Sequence, residues 1–281
     1  MATIVFVTGA SRGFGAAAAE AISREELGDL VLVLLSRDAA GLADAAARAR
    51  AAAPAARVLC AELDLAALEG IEAGFAAAAE RARESLRPGE RFARACLVNN
   101  AGSGTPVGAV ADLGGLAALR AAVDLNVTSC AWLTALFLRF ARAEDGLRQE
   151  PPAPASWRCA VVNVSSLCAV QPFATMGAYC MGKAARDMLH CVVAAEPLRA
   201  GGGGGEPLPV ATLNYAPGPM DTALQGEMRS APGMDAGIRS FFNGLEADGK
   251  WVRVDESAAR LARTLRRGFT SGAHIDFYDK E

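Results

Sequence analysis

Residues 4–15 read Ile4-Val5-Phe6-Val7-Thr8-Gly9-Ala10-Ser11-Arg12-Gly13-Phe14-Gly15, and an alanine-rich stretch follows. An apolar run that enters a glycine turn and leaves it into strong helix formers predicts strand, turn and helix in that order. Glycine at 9, 13 and 15 leaves backbone N–H groups open to an approaching anion, and the N-terminus of the next helix adds partial positive charge. A pyrophosphate suits such a turn, whose spacing is GxxxGxG. The plainer alternative is an ordinary strand–helix turn. Gly9, Ser11, Arg12, Gly13, Phe14 and Gly15 are therefore the candidate contacts of a dinucleotide's phosphates.

Outward from this turn the same alternation recurs. Short apolar runs at 30–36, 57–63, 95–99, 160–165 and 210–215 alternate with helical stretches at 15–26, 39–53, 68–86, 115–143 and 177–196. Strands apolar on both faces belong in a parallel sheet covered on both sides. Repeated β-α units predict an α/β fold: a Rossmann-type doubly wound parallel sheet with right-handed crossovers and helices on both faces. A last strand at 273–277 brings the sheet to about seven strands. Two segments break the rhythm: 146–157, with Pro151, Pro152 and Pro154, reads as a surface loop, and 199–209, with Gly201 to Gly205, as a flexible insert. No repeat and no linker divides the chain, so residues 1–281 are expected to form a single domain.

The 281 residues are 52% hydrophobic and carry a net charge of −3 with no basic block, which argues against a nucleic-acid partner. Two histidines and seven scattered cysteines supply no CxxC and no cluster at metal-ligand spacing. The cysteines read as the reduced thiols of a cytoplasmic protein. Residues 1–8 lack a basic segment and cleavage site, and no apolar run is expected to reach the roughly 18 residues of a membrane span.

The end of the second strand selects the dinucleotide. A carboxylate there would accept from both ribose hydroxyls of NAD; this chain has Ser36, then Arg37 and Asp38. The Arg37 guanidinium can hold a 2′-phosphate in two-point fashion, and Arg12 can reach the same group. NADPH/NADP+ is the expected cofactor, although Asp38 stands one residue farther along and both arginines could simply be surface charges. Asp64 and Leu65 close the third strand, where a carboxylate can accept from the adenine amino group. Asn99-Asn100-Ala101-Gly102 close the fourth, at the crevice where open α/β sheets bind ligands.

Tyr179 and Lys183 stand at i and i+4 in a helical stretch and so project from one face. Reducing a carbonyl requires a proton donor for the developing alkoxide, and a free phenol, with a pKa of ~10, is a poor one. An ammonium about 4 Å away at an effective dielectric of 20 is worth up to roughly 4 kcal/mol, about 3 pK units, and should bring the phenol into range. Ser166, thirteen positions earlier, can donate to the substrate oxygen. Asn126, a polar residue within 115–143, reads either as a water-satisfied amide or as part of a relay returning protons through Lys183. Pro217-Gly218 should lie over the nicotinamide, with Thr222 near its carboxamide.

Together Thr8 to Gly15, Asn99-Asn100-Ala101-Gly102, Asn126, Ser166 with Tyr179 and Lys183, and Pro217-Gly218 resemble the short-chain dehydrogenases/reductases, in order and over nearly the whole chain. Longer stretches, 163–173, 182–188, 214–219 and 271–280, are similar to the sepiapterin reductases. That resemblance implies NADPH-dependent reduction of pterin side-chain carbonyls in tetrahydrobiopterin synthesis, with Ser166 and Tyr179 at the carbonyl, Lys183 on ribose and phenol, Gly218 on the substrate and Asp276 anchoring the pterin. A pterin edge presents two adjacent donors that one carboxylate can accept. The segment 224–250 is expected to cover the substrate. The alternatives are a general carbonyl or diketone reductase and, in another class, a non-catalytic NADPH-sensing or scaffold protein. Helices 115–143 and 177–196 are apolar beyond one face, so a homodimer is expected.

Overall fold

The computed structural model describes residues 1–148, 157–199 and 207–280. The proline-rich centre of the 146–157 loop and the glycine insert at 201–205 lie outside the described residues. The chain begins with β1 (Ala2–Thr8), buried at all seven positions, and passes through the glycine turn into α1 (Gly13–Arg24). Then follow β2 (Asp29–Ser36), α2 (Ala39–Ala52), β3 (Arg57–Glu62), α3 (Ile71–Glu84) and β4 (Phe92–Asn99). The second half runs α4 (Leu116–Val123), α5 (Ser129–Ala143), β5 (Cys159–Val164), α6 (Gly177–Ala195), β6 (Val210–Ala216), α7 (Ala223–Ser230), α8 (Ala236–Ala247), α9 (Val254–Arg267) and β7 (Ala273–Asp276).

The seven strands form one parallel sheet in the order β3-β2-β1-β4-β5-β6-β7. Alternate residues of β1 feed two cores, as the two-residue period of a strand requires. Val5 and Val7 pack with α1, α2 and α9 on one face, while Ile4 and Phe6 pack with α3 and α5 on the other. Phe6 lies within 5.1–6.2 Å of the rings of Phe75, Phe137 and Phe140, which seats α3 and α5 on the central strand. The strand order reverses between β1 and β4, so their carboxyl ends splay apart and leave the crevice in which such sheets bind ligands.

Three expectations are corrected. The 115–143 helix is interrupted by a π-helical turn at Asp124–Thr128 between α4 and α5. By length and composition, Leu116–Ala143 is long and apolar enough to cross a membrane, contrary to the expectation that no run is. In the fold, its Leu133, Leu136, Phe137 and Phe140 supply core contacts instead. Finally, α7, α8 and α9 lie where no element was expected; α9 is rich in arginine and buries the narrow apolar stripe Ala258, Leu261, Ala262 and Leu265 together with Ser257 and Arg260.

Candidate active site

The glycine turn is built by contacts that a side chain would obstruct. Gly9 and Gly13 have φ of +61° and +57°, the left-handed region that favours glycine. A Cβ at Gly15 would collide with the Gly9 carbonyl oxygen and the Asn100 amide. Thr8 Oγ1 accepts from the backbone N–H groups of Asn100 (2.9 Å) and Ala101 (3.0 Å), and Asn100 Nδ2 donates to the carbonyls of Thr8 (2.9 Å) and Gly9 (3.3 Å). The ends of β1 and β4 are thereby laced together. Side-chain-free backbone at Gly9 and Gly13 faces the cleft at the N-terminus of α1, so the residues present fit a dinucleotide's diphosphate.

Above the turn opens a cleft of roughly 1140 Å³, larger than the ~300–1,000 Å³ usual for a single small ligand. Gly9, Ser11, Arg12, Gly13, Phe14, Arg37, Asp64, Leu65, Asn100, Ser166, Tyr179, Lys183, Gly218, Thr222 and Asp276 all line it. Gly15 and Asn126 stand behind the wall. At one end Ser36 Oγ lies 3.0 Å from Ser11 Oγ. Asp38 is engaged by its own helix: its Oδ1 accepts from Gly41 N–H at 3.0 Å and caps α2. Arg37 is exposed and 3.9 Å from Asp64, and Arg12 is exposed and 3.9 Å from Glu227. Two guanidinium groups thus stand at the rim while Asp38, the carboxylate that follows β2, caps α2.

At the other end α6 brings Tyr179 and Lys183 to the wall. Lys183 is buried, its Nζ donating to the Val164 carbonyl at 2.6 Å and lying 5.5 Å from the centre of the Tyr179 ring. Burial, then the nearby Arg186 charge, pushes its pKa down to about 7. The sequence-based expectation of a lowered Tyr179 pKa is not met in the protein alone. Burial pushes the phenol up, and the Cys168 thiol adds to this; Arg186 and a hydrogen bond with Ser166 pull the other way. Desolvation outweighs the Arg186 charge and the Ser166 hydrogen bond together. Ser166 follows β5, beside the phenol, and its Oγ accepts from Cys168 N–H at 3.2 Å.

Asn126 sits in the π-helical turn with both polar atoms used: Oδ1 accepts from Ser103 N–H (2.8 Å) and Nδ2 donates to the Ser103 carbonyl (2.9 Å). Asp276 Oδ1 accepts from Tyr278 N–H at 2.9 Å. At Gly218, φ is +79° and a Cβ would stand 2.8 Å from Val252.

Two groups of residues escaped the sequence reading. Arg186, wholly buried, donates to the carbonyls of Asn99 and Ala101 (2.8 Å for the latter) and to Asn163 Oδ1 at 2.7 Å. Asp187 accepts from Asn163 Nδ2 (2.8 Å), Ser165 Oγ (2.6 Å) and His274 Nδ1 (2.9 Å). The available signal was an Arg-Asp pair one turn beyond Lys183 in a largely apolar helix. Met228 of α7 and Phe241, Phe242 and Leu245 of α8 line the cleft as well, on the 224–250 segment expected to cover the substrate.

Comparison with known proteins agrees with this geometry. Residues 3–233 match the family described as short chain dehydrogenase. The chain is 38% identical over 278 residues to sepiapterin reductase of Rattus norvegicus, covering 98% of this chain and 96% of that protein. It is 37% identical to that of Mus musculus, covering 98% and 97%. A short-chain dehydrogenase/reductase structure from Saccharomyces cerevisiae superimposes with a TM-score of 0.76 at 22% identity, covering 99% of this chain and 96% of that one. That family uses nicotinamide cofactors. With a large cleft above a glycine turn, a serine–tyrosine–lysine set on its wall and a match over most of its length, the chain belongs to the short-chain dehydrogenase/reductase family, as an oxidoreductase of the carbinol–carbonyl class.

Proposed function

We propose that the chain is an NADPH-dependent reductase of pterin side-chain carbonyls, acting as sepiapterin reductases do in tetrahydrobiopterin synthesis. One observation carries this reading: Ser166, Tyr179 and Lys183 line the same cleft as Asp276, which has one carboxylate oxygen without a hydrogen bond among the described residues. Gly9, Ser11, Gly13, Phe14, Asn100 and Thr222 would hold the dinucleotide, Asp64 and Leu65 its adenine, and Arg12 and Arg37 its 2′-phosphate. A bound nicotinamide supplies the hydride. Ser166 donates a hydrogen bond to the carbonyl oxygen, and Tyr179 gives that oxygen its proton. Lys183 lends positive charge and passes a proton back to the phenol, with Asn126 holding the backbone beside that route. Asp276 accepts the two donors of a pterin edge, and Gly218 leaves room for the side chain. Fixing the ring this way converts binding energy into orientation of the reacting carbon.

The strands of one sheet come from the whole span between residues 2 and 276, which supports a single dinucleotide-binding domain. All seven cysteines are free, in keeping with a soluble protein of the cytoplasm. A homodimer is supported by α6: its Lys183 and Arg186 are buried and Asp187 is bonded inward, while Met181, Met188 and Val192 are exposed. A helix with charges inside and methionines outside is an ordinary amphipathic helix inverted, and a second copy of that face would cover it.

Steady-state kinetics test the proposal. NADPH is expected to outperform NADH, and sepiapterin to outperform butane-2,3-dione. Tyr179→Phe should reduce turnover by at least 10³-fold while NADPH still binds. Asp276→Ala should raise KM for sepiapterin tenfold or more and change the diketone KM far less. Equal effects on both substrates would favour the general diketone reductase; tight NADPH binding without turnover would favour the sensing protein.

A further inference from the structure

Asp276 sits at the end of an edge strand. β7 has four residues, pairs among the described residues with β6 alone, and is half-buried throughout. A strand so short and one-sided cannot by itself hold a carboxylate to within a fraction of an ångström of a reacting geometry. Yet β7 is tied down on both sides of Asp276. Two residues before it, His274 Nδ1 meets Asp187 Oδ2 at 2.9 Å. Just after it, Arg260 of α9 donates to the carbonyls of Phe277 and Asp279, 2.7 Å for the latter, bracketing Tyr278, whose N–H holds Asp276 Oδ1. Arg260 is buried, and its Nε has no partner among the described residues, so its two terminal nitrogens carry the clamp.

The first tie leads back to the chemistry. Tyr179, Lys183 and Asp187 are spaced at i, i+4 and i+8 along α6 and share one stripe. The other Asp187 oxygen accepts from Asn163 Nδ2 and Ser165 Oγ, next to Ser166. Helix α6 therefore acts as a ruler of about 12 Å, eight residues at 1.5 Å each, with the proton donor at one end and the clamp on β7 at the other.

We propose that Asp187, His274 and Arg260 are positioning residues that fix the distance between the ring anchor Asp276 and Tyr179, and so set the enzyme's selectivity for carbonyls borne on a ring that Asp276 can grip. This rests on the role assigned to Asp276 above. None of the three touches the reacting atoms. A small ketone needs no anchor and loses little when the ruler slackens, whereas a misplacement of about 1 Å can cost a tethered substrate 100-fold.

The test compares wild type, His274→Ala, His274→Asn, Arg260→Met, Asp276→Ala and the double variant Arg260→Met/Asp276→Ala. It measures kcat/KM for sepiapterin and for butane-2,3-dione, and sepiapterin affinity for the NADP+-loaded enzyme by calorimetry. His274→Ala and Arg260→Met are each expected to lower sepiapterin kcat/KM at least tenfold more than that of the diketone and to weaken sepiapterin binding by a similar factor. Asparagine at 274 keeps a donor near the Nδ1 position and should recover most of the loss. Adding Arg260→Met to Asp276→Ala should cost less than threefold further, because the clamp acts through the anchor. Equal losses for both substrates, or full additivity in the double variant, would overturn the positioning role. If Arg260→Met fails to fold, the His274 pair decides alone. Should Asp276→Ala itself fail to discriminate between substrates, the pterin reading falls, and this one with it. Discrimination by Asp276→Ala but not by the clamps rejects the clamps only.

Discussion

Lys183 illustrates how a single side chain sets activity against stability. An ordinary lysine titrates near 10.5, and burial brings this one down to about 7. Between those values the unfolded chain binds a proton that the folded protein does not, so stability rises with pH across that window and is lower near 7 than above 10. Lys183→Met removes this penalty together with the Nζ–Val164 hydrogen bond. Its activity should be lost, while the cofactor-free variant should melt no lower than wild type at pH 7 in calorimetry. The wild-type melting temperature should also climb between pH 7 and 9 more steeply than that of the variant. A variant that melts well below wild type at pH 7 would mean that the buried lysine is structural. The chemistry behind this follows from the same burial: a partly neutral amine can pass protons, and its charged form is what a buried phenolate needs beside it.

At the scale of elements, the β1–α1 turn is closely packed against the end of β4. Gly15 permits α1 to rise directly behind Gly9 and Asn100, and the Thr8–Asn100 hydrogen bonds hold β4 against the turn. Gly15→Ala places a methyl against a backbone oxygen that cannot yield without moving the turn. It should cost about 1–3 kcal/mol of stability, read from the denaturant midpoint, and weaken NADPH binding at least tenfold by fluorescence titration. An unchanged dissociation constant would show that Gly15 plays no part in shaping the phosphate cradle. The π-helical turn at Asp124–Thr128 has a comparable role: it delivers the Asn126 amide to the Ser103 backbone, and a Cβ on Gly182 of α6 would stand only 3.1 Å from Asn126 Cβ. Helix α6 can therefore approach the α4–α5 rod closely enough to keep Lys183 inside.

For the whole molecule, α6 sends its polar side chains into the sheet. Lys183 meets β5, and Arg186 meets the ends of β4 and β5. Asp187 reaches β5 and β7, while the backbone carbonyl of His190 accepts from Thr212 of β6 at 2.8 Å. The side chain of His190 is held neutral, burial taking its pKa down to about 4. The consequence is the uncharged outer face with Met181, Met188 and Val192. Met188→Glu would set a charge in the middle of a dimer interface formed there. Wild type is expected to sediment as a dimer and Met188→Glu as a monomer at micromolar concentration. A monomeric wild type, or a variant still dimeric, would move the interface elsewhere.

The glycine turn, the β-α alternation and the serine–tyrosine–lysine set were legible in the sequence because each depends on short-range rules: a left-handed φ at Gly9, apolar continuity in a buried strand, and a four-residue spacing on a helix. The same reading left α7 to α9 unseen, since an arginine-rich helix such as α9 shows only a thin apolar stripe. Tertiary structure alone decided the rest. It alone joined Asp187 to His274 across 87 residues and Arg186 to Asn99, spent Asp38 on capping α2, and raised the Tyr179 pKa instead of lowering it. The physical reason is common to these cases: desolvation and long-range hydrogen bonding depend on which surfaces meet, and no local pattern in the chain records that.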